Sequence, residues 1–253
     1  MNQALVKIIV GLSLACSTAL ATPVTVAWTD WTTGNPGLGT AQGVITTPTA
    51  TVGVTYSNPQ GYAFIQTGTG TDYFQNSSGA AGSPFTSSVV ANIPTAAEMI
   101  GLNHAGSQTL TFSQTVANPF FSYISLNGNG YGFNQDFDIL SFGSSSDPEG
   151  ANYSGYWGAG TSYKNVVNLG GGNFQYQLLG TGEPHGTIRF KGAFNSVTWQ
   201  SLSNEYWNGF TVGVQGTAAE VFNAPDSNQT AVLMGFGLLS LVWLKKRKAS
   251  NVR

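Results

Sequence analysis

Two histidines, a scattering of carboxylates and a dense set of Trp and Tyr rings are the groups with which this 253-residue chain could do chemistry. His104 lies in Asn103-His104-Ala105-Gly106 and reads as a surface residue in a turn. His185 lies in Glu183-Pro184-His185-Gly186, a turn before a strand, where Glu183 and His185 could serve as an acid and base. The sequence contains no Gly-x-Ser-x-Gly elbow, no His-Glu-x-x-His pair and no phosphate loop. The expectation is a non-enzymatic protein without catalytic residues, with an extracellular hydrolase as the distant alternative.

Asp136-Phe137-Asp138 sets two carboxylates on one side of a strand, and Asp147 and Glu149 follow in a nearby loop. Oxygen-rich groupings at strand ends can hold Ca²⁺, which takes about six to eight oxygen ligands. The spacing is not that of an EF-hand loop, and solvated carboxylates on an acidic domain are the plainer reading. Calcium at Asp136 and Asp138 is therefore the one cofactor considered, and none is required. The aromatic residues carry the better binding argument. Tyr153, Tyr156, Trp157 and Tyr163 sit in a Gly/Ser-rich segment, where burying four rings is difficult, and Tyr206 and Trp207 adjoin a later strand. Exposed rings stack on sugar faces while nearby Asn, Asp and Gln take the hydroxyls. A glycan-binding face at Tyr156, Trp157, Tyr206 and Trp207 is the candidate site on that ground; the plainer reading is that these rings fill the core of the sandwich or plug its ends, as aromatic residues in β-domains usually do.

The elements that position these groups follow from composition and alternation. Only 8% of the residues are charged, while 33 are Gly and 12% are aromatic. Such a chain is unsuited to a coiled coil or a nucleic-acid binder, and its apolar content is too high for disorder. Between Thr22 and Ala224, three bases against ten acids leave a net charge of −7, so a phosphate backbone is an unsuitable partner. Ten strands are predicted, at 24–28, 49–56, 62–66, 109–114, 120–126, 137–142, 173–179, 186–190, 196–201 and 210–215. Each is short, rich in β-branched or aromatic residues, and bounded by Gly, Asn or Pro. Phe210, Val212 and Val214 alternate with Thr211, Gly213 and Gln215, as a strand with one buried face requires. Residues 34–43 and 68–82 read as polar loops. Thr95 and Glu98 stand at capping-box spacing, which predicts a short helix ending at Gly101. The fold class expected is all-β, a two-sheet antiparallel sandwich or jelly roll over residues 22–222.

Both termini read as addresses. Residues 1–21 have the parts of a secretory signal: Lys7, an apolar stretch at 8–15, and Ala19-Leu20-Ala21 as a small-x-small cleavage site with Ala19 and Ala21 at its small positions. The single cysteine, Cys16, lies inside that segment, so the exported domain has no thiol and no disulfide. Ser13 stands where a lipoprotein signal usually has Leu, which disfavours lipidation of Cys16. At the other end, residues 231–244 form an apolar run followed by Lys245, Lys246, Arg247 and Lys248. As a helix the run would cover about 21 Å, short for a hydrocarbon layer of about 30 Å. The cations would hold that end in the cytoplasm. Residues 223–230 form a linker between domain and tail.

Ala224-Pro225-Asp226-Ser227, the apolar run and the terminal cations together resemble a PEP-CTERM-type sorting tail. The nearer match is its Val-Pro-Asp-Ser-Gly variant, with Ala224 in place of Val and Asn228 in place of Gly; Pro225, Asp226 and Ser227 are the motif. The resemblance implies an exosortase-like membrane protease as partner and transient anchorage in the cytoplasmic membrane. It also implies a Gram-negative-type bacterium that makes an exopolysaccharide matrix. The stretch from Asn118 to Gly213, with His185-Gly186-Thr187-Ile188-Arg189-Phe190 and Asn204-Glu205-Tyr206-Trp207-Asn208-Gly209, resembles β-sandwich ectodomains that precede such tails; no activity comes with that likeness. The expected function is that of an exported cell-surface or matrix protein, associated with exopolysaccharide. The alternative is a lectin-like carbohydrate-binding module, with or without calcium.

Overall fold

The computed structural model describes residues 22–75, 83–143 and 155–222. In chain order its strands are β1 (Ala27–Trp28), β2 (Asp30–Asn35), β3 (Thr40–Thr46), β4 (Thr51–Ser57), β5 (Phe64–Thr67), β6 (Glu98–Leu102), β7 (Gly106–Ala117) and β8 (Phe120–Ile124). They continue with β9 (Tyr131–Phe133), β10 (Phe137–Phe142), β11 (Gly160–Gly170), β12 (Asn173–Gly182), β13 (Gly186–Phe190), β14 (Ala193–Ser201) and β15 (Asn208–Val214). One short helix, α1 (Ala218–Phe222), follows. All strand pairs are antiparallel, and they form two sheets packed as a sandwich. The seven-stranded sheet runs β10-β13-β8-β15-β6-β5, with β1 also paired to β15. The eight-stranded sheet runs β11-β12-β9-β14-β7-β4-β3-β2.

The two sheets differ in how they meet water, and the sequence encodes the difference. In β4, Val52, Val54 and Tyr56 are buried while Thr51, Thr55 and Ser57 are exposed. β3 alternates in the same way, with Ala41, Gly43 and Ile45 inward. This sheet has one apolar and one solvated face. By contrast β6, β8 and β15 are buried along their whole length. Their second face is covered by chain from the amino-terminal segment and the connection before β6. Val26, Trp28 and Val90 pack on Phe120 and Leu140, and Phe74 and Phe85 pack on Met99 and Ile124. Thr187 Oγ1, inside that covered face, donates to the Phe85 carbonyl at 3.0 Å.

Between the sheets lies an aromatic core. Phe121 of β8 stacks on Phe210 of β15 at 5.0 Å and 2°, and Trp199, Tyr56, Phe133 and Tyr131 close around them. Several buried hydroxyls find partners, as burial favours. Tyr56 donates to Gln108 Oε1 at 2.6 Å, Gln108 donates on to Ser201 Oγ at 2.6 Å, and Tyr131 donates to Asn208 Oδ1.

Two expectations are corrected. The Thr95–Glu98 spacing does not start a helix. Ala97 takes a positive φ of 53° and the chain enters β6, while the Glu98 carboxylate accepts the Trp31 N–H at 2.7 Å instead of capping a helix. Residues 34–43 are not a long loop; they hold the end of β2, a 3₁₀ turn at Pro36–Leu38 and the start of β3. Strands β9 and β11 were also not expected. A capping box does exist at Thr217. Its Oγ1 accepts from the Glu220 N–H at 3.1 Å, and Glu220 Oε2 accepts from the Thr217 N–H at 2.6 Å. The other oxygen of Glu220 accepts from Thr47 Oγ1 at 2.8 Å and from Thr49 Oγ1, clasping α1 to the β3–β4 turn. These bonds hold the Glu220 carboxyl down at about 2.

Candidate functional site: an aromatic cleft with two glutamates

Three connections are stitched together at one end of the sandwich. The segment after β8 donates its Leu126 N–H to the Pro184 carbonyl at 3.0 Å, tying it to the β12–β13 connection. The β14–β15 connection joins through Leu202 N–H to the Gly130 carbonyl at 2.9 Å and Ser203 N–H to Asn129 Oδ1 at 2.9 Å. Ser125 turns the chain with a positive φ of 54°. Together with the segment before β11 these connections enclose a cleft of about 330 Å³, lined by Ser125, Asn127, Trp157, Glu183, Glu205, Tyr206 and Trp207.

One wall is aromatic. Trp157 and Trp207 meet edge to face at 5.0 Å, Tyr73 stacks on Trp157 at 5.1 Å and 22°, and Tyr156 meets Trp157 at 4.8 Å. Phe64 backs Trp207 at 5.0 Å. These contacts fix the indoles without hiding Trp157, which remains 42% exposed; Tyr206 stands beside them, 93% exposed. All four aromatic residues expected from sequence are therefore found together, three of them lining the cleft and Tyr156 bracing Trp157. Tyr163 instead stands half exposed on β11, and Tyr153 lies outside the described residues.

The other wall is acidic. Glu183 accepts from Ser125 Oγ at 3.0 Å and from Asn127 Nδ2 at 2.8 Å, so both its oxygens are held. Glu205 accepts from Asn208 Nδ2 at 2.8 Å through one oxygen, whereas its Oε1 is buried with no partner. Burial pushes the Glu205 carboxyl up to about 7; the Asn208 bond opposes the shift and the nearby Glu183 charge adds to it. Glu205, Asn127 and Ser125 went unnoticed in the sequence because strand registers bring them together and no linear spacing reports it. His185 is absent from the cleft. It is 3% exposed, packed on Phe85 at 6.0 Å and so close to Gly155 that a Cβ there would lie 2.7 Å from its ring. Burial lowers it to about 4, against a hydrogen bond to the Glu183 backbone, which leaves it neutral near pH 7. Glu183 thus shares the cleft with a second carboxylate and not with His185. His104 is exposed, as expected for a turn.

Asp136 and Asp138 take another arrangement. Lys164 Nζ lies 2.8 Å from Asp136, Lys191 Nζ lies 3.3 Å from Asp136 and 2.8 Å from Asp138, and Arg189 reaches Asp138 at 3.7 Å. Burial pushes Asp136 up, but Lys164, the Phe137 N–H and Lys191 outweigh it and leave the carboxyl below its usual value. The only three Lys or Arg residues between positions 22 and 222 are all gathered here. A calcium ion at this pair would have to compete with them. Asp147 and Glu149 lie outside the described residues, and among the described residues no group of three or more His, Cys, Asp or Glu is placed to hold a metal.

Ala19, Ala21, the Pro225-Asp226-Ser227 motif and Lys245, Lys246, Arg247 and Lys248 also lie outside the described residues. Among the described residues no helix is long and apolar enough to cross a membrane. Compared with known protein families, curated proteins and solved structures, the chain matches none.

Proposed function

We propose that this chain is an exported, non-enzymatic protein of the cell surface or extracellular matrix whose β-sandwich binds glycan at the aromatic cleft. An exosortase-like protease acts on its Pro225-Asp226-Ser227 tail after transient anchorage in the cytoplasmic membrane. The observation that carries the binding half is the cleft itself. Trp157, Trp207 and Tyr206 offer apolar ring faces beside Asn127, Ser125, Glu183 and Glu205, the pairing that sugar rings with their alternating C–H and O–H edges require. The sorting half rests on the order of motif, apolar run and cations at the carboxyl end.

Terminal sequencing of protein recovered from the producing cells tests the sorting half. The expected product begins at Thr22 and lacks residues 231–253; a full-length product in the cytosol overturns it. A glycan array read with and without EDTA tests the binding half. Binding abolished by Trp157→Ala and insensitive to EDTA supports the cleft, and binding that needs calcium moves the site elsewhere.

A further inference from the structure

Resting on the glycan-binding reading, we propose that the cleft selects sugars that carry a free ammonium group, with Glu183 and Glu205 as its recognition pair. The charge distribution leads there. Every Lys and Arg of residues 22–222 is engaged at Asp136 and Asp138, and none lines the cleft. Two carboxylates therefore face one cavity with no cation between them among the described residues. Glu183 is already ordered by Ser125 and Asn127, so it presents a fixed negative centre. Glu205 Oε1 is buried and unpartnered, an acceptor awaiting a donor.

A ligand that fits these walls must bring N–H donors, a positive charge and apolar ring surface. An uronic acid is repelled by both carboxylates. A neutral sugar can satisfy Glu205 Oε1 with a hydroxyl but leaves the charge pair uncompensated. An ammonium on a sugar ring satisfies both, and the flanking indoles and Tyr206 favour a cation over their faces. The volume of about 330 Å³ is at the small end for ligand clefts and suits a chain end or a short segment. Burial is the main cause of the upward shift of Glu205, the Glu183 charge adds to it, and a bound cation would oppose both.

Calorimetry on the full chain tests this with four probes: a glucosamine tetramer, its fully N-acetylated counterpart, a glucose tetramer and choline. The glucosamine tetramer is expected to bind about tenfold more tightly than either uncharged tetramer, because only its ammonium makes charge-assisted hydrogen bonds. Its affinity should fall with added salt. Glu205→Gln keeps an acceptor for Asn208, and Glu183→Gln keeps one for Ser125; each should erase the preference while leaving the circular dichroism spectrum unchanged. Equal binding of the uncharged tetramers overturns the inference and leaves the glycan reading standing. Choline binding as tightly as the tetramer overturns the sugar assignment in favour of a bare ammonium site. Failure of all four probes, with a glycan array also blank, removes both readings.

Discussion

Burial shifts three titratable side chains, Glu98, His185 and the half-buried Glu205, and their contributions to the pH response oppose one another. Glu98 is pushed up to about 7 by burial, with the Trp31 N–H opposing and Asp30 adding. Its folded value lies above its unfolded one, so its contribution is full below about pH 4.5 and is lost as pH rises towards 7. Glu205 follows the same course. His185, lowered to about 4 by burial, contributes fully above about pH 6.5 and loses that contribution as pH falls through 4. The windows overlap and partly cancel, so the native protein should have a flatter stability profile than its variants. Glu98→Gln retains an acceptor for Trp31 and removes one opposing slope. Thermal melts of that variant should show higher stability than the native chain at pH 8 and a steeper loss between pH 6.5 and 4. An unchanged profile would mean that Glu98 stays ionised inside the sandwich.

At the level of elements, one tetrapeptide shows why local reading succeeded in part. Thr-Ala-Ala-Glu stands at 95–98 and again at 217–220. The second copy forms the capping box of α1; the first runs into β6, where Met99 and Ile100 are buried on opposite faces of a strand paired to β5 and β15. Side-chain burial between neighbours overrides a cap contributing about 1 kcal/mol. The same logic separates what was legible from what was not. Strands such as β10 and β13 declared themselves with the bounds observed, because dense apolar residues flanked by turn formers have few other uses. β3 was hidden because Gly43 and Gln42 look loop-like until β2 and β4 flank them. The aromatic half of the cleft could be read from ring density; the acidic half depended on loop crossings. Gly160 is one such crossing: a Cβ there would lie 2.3 Å from the Glu183 carbonyl carbon and 2.6 Å from Pro184 N. Gly160→Ala should destabilise the fold by about 1–3 kcal/mol through overpacking and weaken ligand binding further by displacing Glu183. Denaturant titration and calorimetry on the same preparation would separate the two losses.

On the scale of the whole molecule, charge is segregated. The three cations of the described residues form one half-exposed network with Asp136 and Asp138, and the other described acids have no basic partner. Exposed pairs of this kind contribute about 0–1 kcal/mol each, so Lys191→Met, which removes two of them, should shift stability by no more than about 2 kcal/mol in a melt. The network's consequence is electrostatic: the cleft is left inside an acidic field that repels anionic polymers and attracts cationic ones. A mid-infrared or calorimetric titration with calcium should leave the native chain unchanged, because a cation already sits at each aspartate. A clear calcium-dependent rise in melting temperature would show that the carboxylates exchange their lysines for metal.

The clasp at Glu220 bears on what happens when the tail is pulled. Chain leaving β15 passes through α1, where the Glu220 carboxylate, five residues before Pro225, grips Thr217, Thr47 and Thr49. Tension applied from the tail meets this knot before it reaches β15, the strand on which β8, β6 and β1 all rest. Force entering from that side must break the Glu220 bonds before it loads the middle of the sheet.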